Sequence, residues 1–127
     1  MSKPNHDDAM LMVELAHLYA VQDVGEAAGW VRSDAFIPDF EQFKAKYPQG
    51  SVESLKLGNV LNYYETLGTL HKHGLINEDL LFDWLAVTEI WNRLGGVVKG
   101  IQASLSPAMY ENFEAMAEAQ ARWTASR

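Results

Sequence analysis

Residues 80–105 read LLFDWLAVTEIWNRLGGVVKGIQASL. Within them Leu80, Trp84, Val87, Trp91, Leu94, Val98, Ile101 and Leu105 recur at steps of four and three. That interval stacks side chains on one side of an α-helix, and a stripe of this length predicts one long helix with a buried face. Asn77 stands before it as an N-cap, Glu78 and Asp79 suit the positive end of the helix dipole, and Ile76 can staple onto Leu81. Gly95, Gly96 and Gly100 fall inside the stripe and either bend the helix or admit a neighbouring backbone.

Upstream, Ser51 opens a second long helix in which Leu57, Val60 or Leu61, Tyr64 and Leu67 step at helical spacing until Gly74 supplies a left-handed C-cap. At ~1.5 Å per residue the two helices would run about 33 and 42 Å. So short a connection between them predicts an antiparallel hairpin as the spine of the fold. Before it, residues 1–6 read as a loose start, and Asp7 and Asp8 offer caps for a helix through Leu11, Leu15, Leu18 and Tyr19. A break is expected between Gln22 and Glu26, helical character resumes toward Trp30 and Arg32, and Ser33 to Pro38 reads as a connection. Asp39 with Gln42 marks a short helix carrying Phe40, Phe43 and Tyr47, stopped by Pro48 and Gly50. Ser106 and Pro107 predict the start of a final helix whose Met109, Phe113, Met116 and Trp123 face inward. Strand patterns are lacking. The expected architecture is all-α, a single helical domain over residues 1–127, with N-terminal and C-terminal helices packed on the hairpin.

Composition narrows the function classes. Hydrophobic residues make up 48% of 127 positions and aromatics 11%, which a packed globule requires. Cysteine is absent, removing thiol nucleophiles and thiolate metal sites and fitting a reducing compartment. Seventeen carboxylates against ten Lys and Arg give a net charge of −7 without a basic cluster, so direct nucleic-acid binding is not expected. The apolar run from Ala9 to Val21 is interrupted by Glu14 and His17 and is shorter than the ~20 residues of a membrane span. A cytoplasmic protein without a membrane span is the reading that follows.

Chemistry-bearing patterns are sparse. Glu14 and His17 have the Glu-x-x-His spacing of carboxylate-bridged di-metal bundles, but no second such pair exists. Glu65 and Glu89 are the carboxylates on neighbouring helices that could complete a metal set, and without the missing half no metal or other cofactor is assigned. His71 and His73 diverge by ~200° on a helix and read as last-turn complements to the dipole. No nucleophile elbow or glycine-rich phosphate loop occurs. The most suggestive polar set is Asn62 and Glu65 on one hairpin arm with Glu89, Asn92 and Arg93 on the other, read as a binding face or as a register-setting ion-pair cluster. Trp30, beside the glycine break, and Trp123, near the end, are the aromatic residues least committed to the core and the candidate binding anchors.

The runs Asn59-Val60-Leu61-Asn62-Tyr63-Tyr64-Glu65 and His73-Gly74-Leu75-Ile76-Asn77, then Trp91, then Tyr110-Glu111-Asn112-Phe113-Glu114, occur in that order. Together, across about Ser51 to Trp123, they resemble a bacterial and phage-associated helical family, domain of unknown function 4760. The resemblance implies a helical fold and carries no established activity. Some members begin with a membrane anchor, whereas this chain opens on an interrupted amphipathic helix. By elimination the sequence points to a non-catalytic interaction module, an adaptor or inhibitor, with a protein partner or a homo-oligomeric state. The alternatives are a carboxylate and histidine metal enzyme built on Glu14, His17, Glu65 and Glu89, and an acidic mimic of nucleic acid.

Overall fold

The computed structural model describes residues 3–127, and the described residues form seven helices. They are α1 (His6–Val21), α2 (Val24–Arg32), α3 (Phe40–Lys46), α4 (Val52–Lys72), α5 (Glu78–Trp84), α6 (Val87–Ser104) and α7 (Glu111–Ala125). No strand occurs among the described residues.

Most helix starts are chosen by local chemistry. Asn5, rather than Asp7 or Asp8, caps α1: its side chain accepts from the Asp8 N–H while the Asp8 carboxylate accepts from the Asn5 N–H, so two otherwise orphaned donors are satisfied. Met1 and Ser2 of the expected loose start lie outside the described residues, and Lys3 and Pro4 precede the cap without helical structure. The break after α1 falls at Gln22 and Asp23, where Asp23 takes a left-handed conformation with φ 53°. Asp39, Ser51 and Asn77 cap α3, α4 and α5 through the N–H groups of Gln42, Ser54 and Leu80. Gly74, at φ +69°, closes α4 while the Leu75 N–H returns to the Leu70 carbonyl, the bonding of a Schellman turn.

The expected long second arm is two helices. The chain leaves helical geometry at Leu85 and Ala86, with neither Gly nor Pro present to cause it. Gln120 of α7, 6% exposed, spans the gap: its Nε2 donates to the Leu85 carbonyl and its Oε1 accepts from the Thr88 N–H. The Thr88 hydroxyl donates to the Ala117 carbonyl. Backbone groups that a continuous helix would have paired are thus satisfied by α7. The break also turns the stripe. Val87, Leu94 and Val98 are buried, but Ile90 and Val97 join them, Leu80, Trp84, Trp91 and Ile101 are half-buried, and Leu105 is 73% exposed.

α7 makes the most extensive contacts of any helix with α4 and then packs on α6, while α2 bridges the same two helices from elsewhere. Phe113 shows how: it stacks on Tyr64 of α4 with ring centroids 5.3 Å apart and meets Trp91 of α6 edge-on at 5.1 Å. The core therefore runs through Val24, Ala28 and Val31 of α2, Val60, Leu61, Tyr64 and Leu67 of α4, the inner face of α6, and Phe113 and Met116 of α7. Close approach is permitted at Gly68, Gly96 and Gly100 by missing side chains. A Cβ on Gly68 would lie 2.4 Å from the Asn112 carbonyl oxygen, and one on Gly96 would lie 2.9 Å from that of Pro38. Gly96 and Gly100 of α6 accordingly admit Pro38 and Phe40 at the start of α3, whereas Gly95 lies against Trp91 of its own helix.

The last helix begins later than Ser106-Pro107 suggests. Those residues form a separate turn, with the Met109 N–H on the Ser106 carbonyl, and Tyr110 takes φ 57° before α7 starts at Glu111. Tyr110 provides no side-chain cap. The cap comes from another helix.

Candidate functional site

Glu65, on α4, supplies that cap. Its Oε1 accepts the Phe113 N–H at 2.9 Å and its Oε2 accepts the Asn112 side-chain amide at 3.0 Å. A carboxylate at the positive end of a helix is doubly favoured, by the hydrogen bonds and by the dipole. Asn62, one turn earlier and exposed, lies 3.5 Å from the Tyr110 hydroxyl.

The other half of the predicted polar set points elsewhere. Glu89 of α6 pairs with the Arg32 guanidinium of α2. Arg93 closes the C-terminal end of α2, with Nε donating to the Val31 carbonyl at 2.9 Å and Nη2 to the Ser33 carbonyl at 2.8 Å. Asn92 is exposed on α6. Four of the five are thus divided between two helix ends, Asn62 and Glu65 at the start of α7 and Glu89 and Arg93 at the end of α2. Glu65 and Glu89 do not converge with Glu14 and His17, and among the described residues no group of three or more His, Cys, Asp or Glu side chains comes together to hold a metal ion.

The two tryptophans are built in as well. Trp30 is half-buried, edge-on to Phe36 at 5.2 Å, within reach of Phe43 and Tyr47, and carries the Lys56 ammonium over its ring. Trp123 packs on Phe82 and donates its indole N–H to Asp79 at 2.8 Å, with Arg127 over its face.

A groove of ≈ 440 Å³ that sequence reading did not single out lies between α4 and α7, lined by Gly68, Lys72, Glu111, Ala115, Ala119 and Arg122. His71 lines it too and also borders a second hollow of ≈ 370 Å³ beside the α4–α5 turn. There His71 Nε2 lies 2.7 Å from the Glu78 carboxylate and the ring tilts over Phe82.

The outward face of α1 is different in kind. Leu15 is the buried residue of that helix, its carbonyl held by the buried Tyr63 hydroxyl at 2.6 Å, and α1 packs on α2 and α5. Away from that side Met10 is 50% exposed, Val13 59% and Val21 65%, and Leu18, on the flank next to Leu15, is 40% exposed. Glu14 and His17 are exposed on the same side. Half of the exposed large apolar side chains of the described chain therefore sit on one helix.

The model of the family described as domain of unknown function (DUF4760) matches residues 22–123. The chain belongs to that family. Helices α2 to α6 and most of α7 fall inside the match, including Glu65, Glu89, Arg93 and Gln120, whereas α1 precedes it. No curated protein and no solved structure matches the chain. Among the described residues no helix is long and apolar enough to cross a membrane.

Proposed function

We propose that this DUF4760-family chain is a non-catalytic protein–protein interaction module of the cytoplasm whose contact surface is the outward face of α1. The observation that carries this reading is the exposure of Met10, Val13 and Val21, with Leu18 on their flank, on a helix whose Leu15 side is seated on the core. Exposing such a row costs solubility unless another surface covers it. α1 contains no Lys or Arg and carries Asp7, Asp8 and Glu14, a charge pattern that favours a protein surface over an anionic bilayer. The absence of cysteine fits a reducing compartment.

Glu65, Glu89 and Arg93 also act as inter-helix caps and pairs, so substituting them would disturb folding as well as any contact. Val13→Glu with Val21→Glu is the suitable comparison, because both side chains are mostly in solvent. Purified and tagged chain is presented to native extract and, separately, to itself at increasing concentration. The expected result is a stoichiometric protein partner, or a second copy, retained by the wild type and lost by the double variant with unchanged circular dichroism. A chain that stays monomeric and retains nothing overturns the reading.

A further inference from the structure

Which surface covers α1 can be read from its register, taking the contact-face reading above as the starting point. Met10, Glu14, His17 and Val21 follow one another at steps of four, three and four, which is the seam of a two-stranded coiled coil, and Val13 and Leu18 flank the seam on either side. Each member of that seam is exposed. The pattern is also symmetric under reversal. If a second α1 runs antiparallel with its two-fold axis between residues 15 and 16, position 10 meets 21 and position 14 meets 17.

We infer that the outward face of α1 is a homodimer interface, two copies of this helix pairing antiparallel about a two-fold axis. In that arrangement Met10 packs on the partner's Val21 at both ends, and Glu14 faces the partner's His17 twice across the centre. On the flanks Val13 lies alongside the partner's Ala20, and Leu18 alongside the partner's Leu11. An isologous interface needs a patch complementary to itself, and a carboxylate opposite an imidazole supplies that where two identical charges would repel. The same polar layer sets the register, since sliding the helices by two turns would place Glu14 or His17 against an apolar side chain. A parallel pair would instead set Glu14 against the partner's Glu14.

The four apolar side chains offer on the order of 400 Å² per copy, against the ~800 Å² a side of a stable complex. The dimer is accordingly a weak, reversible one.

Sedimentation equilibrium of the full chain over about 5–500 μM tests this directly. The wild type is expected to pass from monomer to dimer, and Val13→Glu to remain monomeric. Glu14→Arg and His17→Glu, made singly, are each expected to weaken the dimer by at least ~5-fold, and the Glu14→Arg/His17→Glu double variant to return to within ~2-fold of wild type. That rescue is expected only if positions 14 and 17 face each other across the interface. A wild type that is monomeric throughout overturns the homodimer. So does a dimer insensitive to Val13→Glu, or a double variant weaker than either single change. Binding of the monomer to phosphatidylcholine vesicles in place of dimerisation also overturns it. If the chain is monomeric but native extract yields a different protein that Val13→Glu/Val21→Glu releases, the self-pairing fails while the interaction-module reading stands.

Discussion

The carboxylate of Glu65, on α4, caps the first turn of α7 by accepting the Phe113 backbone N–H at 2.9 Å. Forty-eight residues separate the two positions, and the bond is what begins the last helix where it begins, since Tyr110 has no capping side chain to offer. Glu65→Ala removes the acceptor for that N–H and for the Asn112 amide, and is expected to destabilise the fold by about 2 kcal/mol. Glu65→Gln keeps one carbonyl oxygen and is expected to cost roughly half as much. Urea unfolding of the three proteins measures both, and equal losses for Ala and Gln would show that charge at the helix end, rather than the hydrogen bonds, is what Glu65 provides.

Gln120 holds the break between α5 and α6 from both sides. Gln120→Leu leaves the Thr88 N–H and the Leu85 carbonyl unpaired in a part-buried setting, and each orphan costs ~1–3 kcal/mol. A loss of about 3 kcal/mol in the unfolding midpoint analysis is expected. Gln120→Glu keeps the acceptor for Thr88 and turns the donor toward Leu85 into a repulsion, so it is expected to be no better tolerated. If Gln120→Leu instead proves neutral, the two helices have fused or water has replaced the amide, and helical content by circular dichroism separates these.

The glycines divide into two classes by what surrounds them. A methyl group on Gly68 would meet the α7 backbone at 2.4 Å, so Gly68→Ala is expected to push α7 off α4 and cost about 2–3 kcal/mol. Gly29 lies within α2, and a methyl group there would have nothing within 4 Å, so Gly29→Ala is expected to stabilise by about 0.5–1 kcal/mol through helix propensity. Thermal melts of the two variants should move in opposite directions.

Two tyrosines make the fold sensitive to alkali. Burial raises the Tyr63 phenol strongly and pushes Tyr64 up to about 12 from its ordinary value of 10, with neighbouring tyrosines adding to the effect. The folded state holds these protons where the unfolded chain releases them, so unfolding becomes favoured as pH rises above 10. Their contribution is complete below pH 10 and is lost progressively as pH climbs toward 12 and beyond. Tyrosinate absorbance in the native protein is expected to show Tyr63 and Tyr64 silent at pH 10.5, and the midpoint of urea unfolding is expected to fall as pH rises from 10 toward 12. Tyr63→Phe, which also frees the Leu15 carbonyl from its partner, is expected to loosen α1 and to reduce the alkaline slope.

Helix content, the capped starts at Asp39, Ser51 and Asn77, the turn at Gly74 and the break beyond Val21 were legible in the chain because each depends on residues within one turn of each other. Periodicity likewise marked an inward face for α4 and α7, since Leu57, Tyr64, Leu67, Phe113 and Met116 are buried as their spacing predicts. The division of the stripe into α5 and α6, the late start of α7 and the dispersal of the polar set were decided only in three dimensions. At Leu85 nothing local opposes a helix, and the chain leaves it because Gln120, thirty-five residues on, satisfies the groups the break exposes. Asn62, Glu65, Glu89 and Arg93 were recognised as polar residues bordering a core, but a spacing pattern does not say which helix end a carboxylate or guanidinium will reach. The α1 row shows the same limit from the other side. Met10, Val13, Leu18 and Val21 are as apolar as Leu15, and only the packing of α2 and α5 against one side of the helix determines which of them are left for a partner.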